Sequence, residues 1–310
     1  MSLQKPTKLT KDEFVKTATM FYLDVALEKK YSDFLREQIA KLQQQLSGIV
    51  TKNGVQQYVS EEKEALENLT SLLNISSERF KRIVSMLRIA RGHQFDTEWT
   101  LSTVRTHMLD DSVWMDDICD LLINGAKLPK YQELIPSFYL ENFKIDITTI
   151  GRLANPDDIR RLIKRSIEGR YNNQIGDSYL KKIRDYIIDF CGREGFTTPM
   201  VNQINSITNH TFSLTLNYNN QPWILIDITY AITTSSGQSR FAREVKGIAD
   251  KVRQFNENNG DNKKIVYINI MDGAGWVARS TDLDKIISYT PYVLNLNNLS
   301  RITDIINFYA

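Results

Sequence analysis

Residues 223–245, WILIDITYAITTSSGQSRFAREV, decide the fold. Trp223 to Tyr230 is an apolar run holding one carboxylate, Asp227, and its length and β-branched content predict a buried strand. A carboxylate inside such a strand is costly without a partner or a metal. A Ser/Gly/Gln loop follows, and then a helix that opens with Arg240, Arg243 and Glu244. A small-residue loop feeding a basic helix start suits close backbone approach to phosphate.

Outward from this stretch, Thr211–Tyr218 and Ile265–Ile270 also read as strands, with Asn219-Asn220 as a hairpin turn between the first two. The helix from about Arg240 to Phe255 separates the second strand from the third, which implies a parallel pair with a right-handed crossover. The sheet is therefore expected to be mixed. Before it, Gly176-Asp177 is read as the start of an amphipathic helix running to Phe190, and Asn155-Pro156-Asp157-Asp158 as the cap of another helix, basic along Arg160, Arg161, Lys164 and Arg165. Residues 1 to 150 read as almost entirely helical. Thr10 and Glu13 form a capping box, Lys52-Asn53-Gly54 is a turn signal, and helices are expected from Ser60, from Ser76 and over Asp110 to Leu122. The fold class is α/β (α+β), with a helical domain over 1–150 and a domain built on a mixed sheet flanked by helices over 151–310.

A chain of 310 residues is long enough for two cores. Its net charge of +2 advertises no global field for nucleic acid, so any basic surface must be local. Cys119 and Cys191 fit neither a disulfide framework nor a zinc pattern and read as buried thiols of a reducing compartment. The N-terminus has no signal-peptide core, and no window reaches the roughly 20 apolar residues of a membrane span. A soluble, cytoplasmic protein with no membrane partner is expected. Asp110, Asp111, Asp116, Asp117 and Asp120 could gather a metal but read as a solvated helix face. His93, His107 and His210 show no ligand spacing and read as structural.

The order of elements, with four motifs, resembles the PD-(D/E)xK nuclease fold, and more narrowly the type II restriction endonucleases of the GATC-cutting group. The motifs are Gly176-Asp177 after Arg170-Tyr-Asn-Asn-Gln; the hairpin from Phe212 to Tyr230 with its acid on the second strand; the loop and helix Ser235-Ser-Gly-Gln-Ser-Arg-Phe-Ala-Arg-Glu; and Val266-Tyr-Ile-Asn-Ile-Met-Asp-Gly-Ala-Gly-Trp-Val-Ala-Arg, followed by Tyr292-Val-Leu-Asn-Leu. The resemblance covers about residues 170 to 300 and implies Mg²⁺-dependent hydrolysis of double-stranded DNA at a short specific site. One or two Mg²⁺ ions would activate water and offset the leaving charge.

The resemblance also implies an acid on the first hairpin strand, where Ser213 stands, and Asp or Glu on the second, where Asp227 stands. Two residues on, Thr229 replaces the expected Lys, and Leu180 occupies an acid position of the preceding helix. The missing acid is sought in Glu244, with Lys246 two residues on, and in Asp177. The catalytic candidates are thus Asp227, Glu244, Lys246 and Asp177, and the metal ligands Asp227 and Glu244. Ser235, Ser236, Gln238, Ser239, Arg240, Arg243 and Arg279 are the candidate DNA contacts, since phosphate neutralisation needs Lys or Arg with hydroxyl and amide donors at one edge. The Arg160–Arg170 set is a second basic group. Asp272-Gly273 reads as a turn rather than a further ligand. Cutting both strands implies a homodimer, with the helical domain serving recognition or dimerisation. Two other readings stay open: a catalytically degenerate DNA-binding protein or partner subunit of an active nuclease, and a mainly helical interaction protein whose sheet is scaffold.

Overall fold

The computed structural model describes residues 4–45, 48–151, 155–218, 221–260 and 264–309. The expected Asn219-Asn220 turn lies outside the described residues. The chain is α+β and forms two compact units, residues 26–171 and residues 1–25 with 172–310.

The first of these units is helical: α2 (Val25–Gln45), α3 (Lys52–Glu61), α4 (Ala65–Leu72), α5 (Ser77–Ala90), α6 (Leu101–Asp110), α7 (Ser112–Asn124), the short α8 (Pro129–Gln132), α9 (Ser137–Leu140) and α10 (Ile147–Gly151), and the first part of α11 (Pro156–Arg193). Its core gathers Leu42, Val55, Leu69, Phe80 and Ile118 from these helices, with Phe143 from the segment between α9 and α10. Lys52-Asn53-Gly54 is not a turn. Thr51 caps α3 there, its Oγ1 accepting the Gly54 N–H at 3.1 Å. Ser76 caps α5 as expected. The Asp116/Asp117/Asp120 run is balanced by Lys52 and Lys130 at 3.0–3.3 Å and by Arg91 on Asp117, and Asp111 caps α7.

The second unit is a five-stranded sheet, order β1-β2-β3-β4-β5, with helices on both faces. The strands are β1 (Met200–Asn205), β2 (His210–Tyr218), β3 (Gln221–Tyr230), β4 (Val266–Asp272) and β5 (Tyr292–Leu294). β1-β2-β3 is antiparallel, and β4 and β5 join in parallel. The crossover from β3 to β4 is α12 (Ser236–Asn259), and α13 (Ala274–Ala278) and α14 (Ser280–Tyr289) lead to β5.

Alternation along β3 and β4 divides the apolar side chains between two faces. Ile224, Ile226, Ile228, Ile268 and Ile270 pack with Tyr179, Ile183 and Ile187 of α11 and with Ile302 and Ile305 of α15 (Arg301–Tyr309). Leu225, Tyr267 and Met271 face the other way, onto Ala242, Val245 and Val252 of α12, Leu283 and Ile286 of α14, and Phe14 of α1 (Lys11–Thr17). α1 carries the expected Thr10–Glu13 capping box.

Further sequence expectations need correcting: Ser60 does not start a helix but lies inside α3, and the next helix begins at Ala65. Gly176-Asp177 does not open a helix, because α11 runs unbroken from Pro156 to Arg193. A glycine in a helix interior costs about 1 kcal/mol, and Ile175 and Tyr179, both buried on either side of it, hold the helix through that position. β1, with five exposed residues out of six, had not been expected as a strand.

Both cysteines are buried, and burial pushes the Cys119 thiol up to about 12 and the Cys191 thiol up to about 11. Thiols raised this far are unreactive at neutral pH. Among the described residues no helix is long and apolar enough to cross a membrane.

Candidate nucleic-acid interface and buried acid centre

The β2–β3 ladder runs from Tyr218↔Gln221 to Leu214↔Ile226. One step beyond it stand Ser213 and Asp227. There the Ile228 N–H donates to the Ser213 side-chain Oγ at 3.1 Å. β3 continues in parallel register with β4 as far as Tyr230↔Asp272. Phe212 packs on the α12 side and Leu214 on the α11 side, so β2 turns over between them. The sheet therefore opens between β2 and β3 from Asp227 onward.

Asp227 is 5% exposed and lies on the α12 face, beside Asn269 in register. Its oxygens are held from two sides. His210 Nε2 lies 3.2 Å from both, and Tyr267 donates its hydroxyl to Oδ2 at 2.7 Å. Tyr267 also reaches Asn269 Oδ1 at 3.4 Å, and the Nδ2 of fully buried Asn269 has no partner among the described residues.

Glu244 is exposed on α12 and reaches this centre through its charge. α12 is the crossover that follows β3, and the eight steps from Ser236 to Glu244, at about 1.5 Å each, span about 12 Å, the length of three to four strand residues at about 3.3 Å. Accordingly, the Glu244 charge raises the pKa of both His210 and Tyr267. For His210 the hydrogen bond to Asp227 is the main cause, acting against desolvation. Burial is the main cause for Tyr267, with the Asp227 charge next.

The raised His210 pKa links folding to pH. The folded state holds the proton more tightly than the unfolded chain, so the pairing contributes its full stability below about 6.5. That contribution is lost as pH rises through the higher folded-state value. Urea unfolding at pH 6 and pH 9 should show the stability difference between the protein and His210→Gln shrinking by on the order of 1 kcal/mol at the higher pH, the scale of a hydrogen bond gaining charge. A pH-independent difference would refute the ion pair.

The remaining candidates separate. Asp177 is exposed on α11, which packs on the opposite face of the sheet from Asp227. Lys246 is exposed with Nζ 5.9 Å over the Tyr289 ring, and points toward α14. Thr229 Oγ1 is buried without a partner among the described residues.

In the loop, Gln238 is 4% exposed and its Oε1 accepts the Ser235 N–H at 2.8 Å. Ser239 donates to Asp282 at 2.7 Å, and Arg279 donates to the Ser235 carbonyl at 2.5 Å. Gln238 thus closes a capping box on Ser235, while the Ser239 and Arg279 bonds tie the start of α12 to α14. Ser235, Ser236, Arg240 and Arg243 remain exposed at the mouth of the sheet. In the helical unit, Arg161, Arg165 and Arg170 bond Asp158, Asn74 and Glu64, while Arg160 and Lys164 are exposed.

Asp272, at the end of β4, is a keystone rather than a ligand. Its Oδ1 accepts the Thr19 N–H at 2.6 Å, and Oδ2 accepts the Leu296 N–H at 2.8 Å and the Tyr179 hydroxyl at 3.1 Å. Burial pushes its pKa up to about 6 despite these bonds. Gly273 follows at φ +106°, and a Cβ there would lie 2.2 Å from the Ala231 carbonyl oxygen, so only glycine fits the turn.

Mg²⁺ prefers several carboxylate and water oxygens in an octahedral array. The donors gathered here are one buried carboxylate with both oxygens occupied, a histidine biased toward its cation, and an exposed glutamate. Among the described residues no group of three His, Cys, Asp or Glu side chains stands ready to hold a metal. As arranged, the residues do not fit a Mg²⁺ site.

A helix, an antiparallel three-stranded run, a crossover helix and a parallel strand, with an acid at the open end of the hairpin, make up the α+β sheet unit. Residues 160–309 match the family model described as the BanI C-terminal domain, a restriction endonuclease domain. Comparison with curated proteins and with solved structures returns no match.

Proposed function

We propose that the chain is a type II restriction endonuclease of the PD-(D/E)xK type, cutting double-stranded DNA at a short specific site as a homodimer. The observation that supports this best is the position of Asp227. It is a buried acid at the open end of the β2–β3 hairpin, inside the segment that matches a restriction endonuclease domain. In this reading His210 and Tyr267 fix the carboxylate, and the exposed Arg240 and Arg243 neutralise backbone phosphates beside it. The cofactor proposed is Mg²⁺, for which the donor set as arranged falls short.

That shortfall favours a second reading, in which the chain binds DNA without cutting and serves an active nuclease as partner subunit. Ser213, opposite Asp227, and Thr229 both lack the acid or amine that catalysis of this type uses. Incubation of the purified protein with unmethylated plasmid, with Mg²⁺ and with EDTA, separates the two. Discrete fragments only with Mg²⁺ support the first reading. A mobility shift without fragments supports the second, and neither result leaves both without support.

DNA binding itself has a specific test. Each phosphate contact contributes about −0.9 to the slope of log K against log salt on duplex DNA. Arg240→Glu with Arg243→Glu should weaken binding about 10²-fold at moderate salt and flatten that slope by about 2. A slope equal to the wild-type value would remove these arginines from the interface.

A further inference from the structure

A cavity of 540 Å³ opens on the sheet unit, where α12, the start of β4 and the α14–β5 turn meet the N-terminal segment. Val252, Ile265 and Tyr267 give it an apolar floor, and the half-exposed ring of Tyr289 forms one edge. Lys8, Arg253 and Lys264 line it as cations, against Glu257 as carboxylate.

The neutral polar groups of the lining are already used within the protein. The Asn256 amide bonds the Ile265 N–H and carbonyl at 2.7 and 2.9 Å, and the Ser288 and Thr290 hydroxyls donate to the Lys285 and Ile286 carbonyls. Arg253 pairs with Asp250 at 2.6 Å, so what the cavity offers a ligand is apolar surface and a modest excess of positive charge. Burial lowers the pKa of Lys8, as expected for an ammonium drawn partly out of water with no carboxylate to compensate it.

We propose that this cavity binds a planar ring carrying an anionic group, the chemistry of a nucleoside monophosphate, with the ring on Val252 and Tyr289 and the anion between Lys8 and Arg253. Pockets of this size take ligands of that size, and rings stack on aromatic edges while cations fix the phosphate. The floor gives the site a consequence. Tyr267, fully buried at the base of the lining, bonds Asp227 with its hydroxyl, so an occupant sits next to a residue that holds the acid centre.

The test is calorimetric titration of the full chain with AMP, adenosine, inorganic phosphate and a single-stranded dA dodecamer. AMP should bind about 10-fold more tightly than adenosine or phosphate, because both halves of the site are then filled. Arg253→Glu and, separately, Lys8→Glu should each weaken AMP about 10-fold with the unfolding midpoint unchanged. A dodecamer that binds more tightly than AMP and loses affinity in the same variants places the nucleotide within a strand; the reverse order makes it a free nucleotide. Absence of AMP binding at millimolar concentration, phosphate binding as tightly as AMP, or AMP affinity indifferent to both variants would overturn the proposal. None of these outcomes depends on whether the protein cuts DNA.

Discussion

Asp272→Ala should destabilise the sheet unit by about 3 kcal/mol, because it strips three donors of their acceptor at once. The Thr19 N–H, the Leu296 N–H and the Tyr179 hydroxyl converge on this one carboxylate from the N-terminal segment, the turn after β5 and α11. A buried donor left unsatisfied costs about 1–3 kcal/mol, and partial access of water to Thr19 lowers the total. The pH dependence carries an opposite sign to the usual carboxylate. Burial raises the folded pKa to about 6, above the unfolded value. The folded state therefore binds the proton more tightly, and the contribution is full below about 3.9 and lost as pH rises through about 6. Urea unfolding of the wild type and of Asp272→Ala at pH 5 and pH 8 should show a larger difference at pH 5. A difference that grows with pH would mean that the carboxylate is stabilised as an anion.

The parts of this fold legible in sequence are those where local pattern and tertiary demand agree. β3, α12 and β4 could be read because a buried strand is an unbroken apolar run and the period then switches to that of a helix. β1 has no such signature: Met200-Val-Asn-Gln-Ile-Asn is an edge strand with almost no buried face, so nothing forces alternation. The packing of α1 on the sheet unit through Phe14 was not legible either, since an amphipathic helix does not say which core its apolar face will meet.

At the acid centre, Asp227 was conspicuous because a charge in a buried strand is rare. His210 was not, because one histidine at a strand start carries no spacing. Tyr267 and Asn269 did leave a signal. They are polar at alternate positions of an otherwise apolar strand, which puts both on one face. Parallel register with β3 then makes that face the one bearing Asp227. Gln238, Ser239 and Arg279 looked like loop contacts for DNA, but sequence could not show that Gln238 turns back to cap α12, or that α14 lies close enough for Ser239 and Arg279 to serve as ties.

Asp227→Ala should abolish cleavage, by about 10³-fold or more, while leaving DNA affinity equal or tighter. If Asp227 acts on the scissile phosphate, its loss removes transition-state stabilisation, which in sites of this kind is worth several kcal/mol. Binding should not weaken, because a carboxylate beside phosphate repels it, and removing that charge lowers the electrostatic cost of the complex. The variant also leaves the Tyr267 hydroxyl buried without its acceptor, at about 1–3 kcal/mol of stability. Asp227→Asn controls for this. The amide keeps an oxygen for Tyr267 and the volume of the side chain, yet carries no charge to offer a reacting centre or His210. If Asn matches Ala in cleavage but approaches wild type in urea unfolding, the negative charge of Asp227 serves chemistry. Equal cleavage by all three proteins would make the centre a structural clamp and move the active acid elsewhere. No cleavage by any of them, with the shift of duplex DNA intact and the stability loss confined to Ala, is the pattern of a subunit that kept the fold and its acid for packing alone.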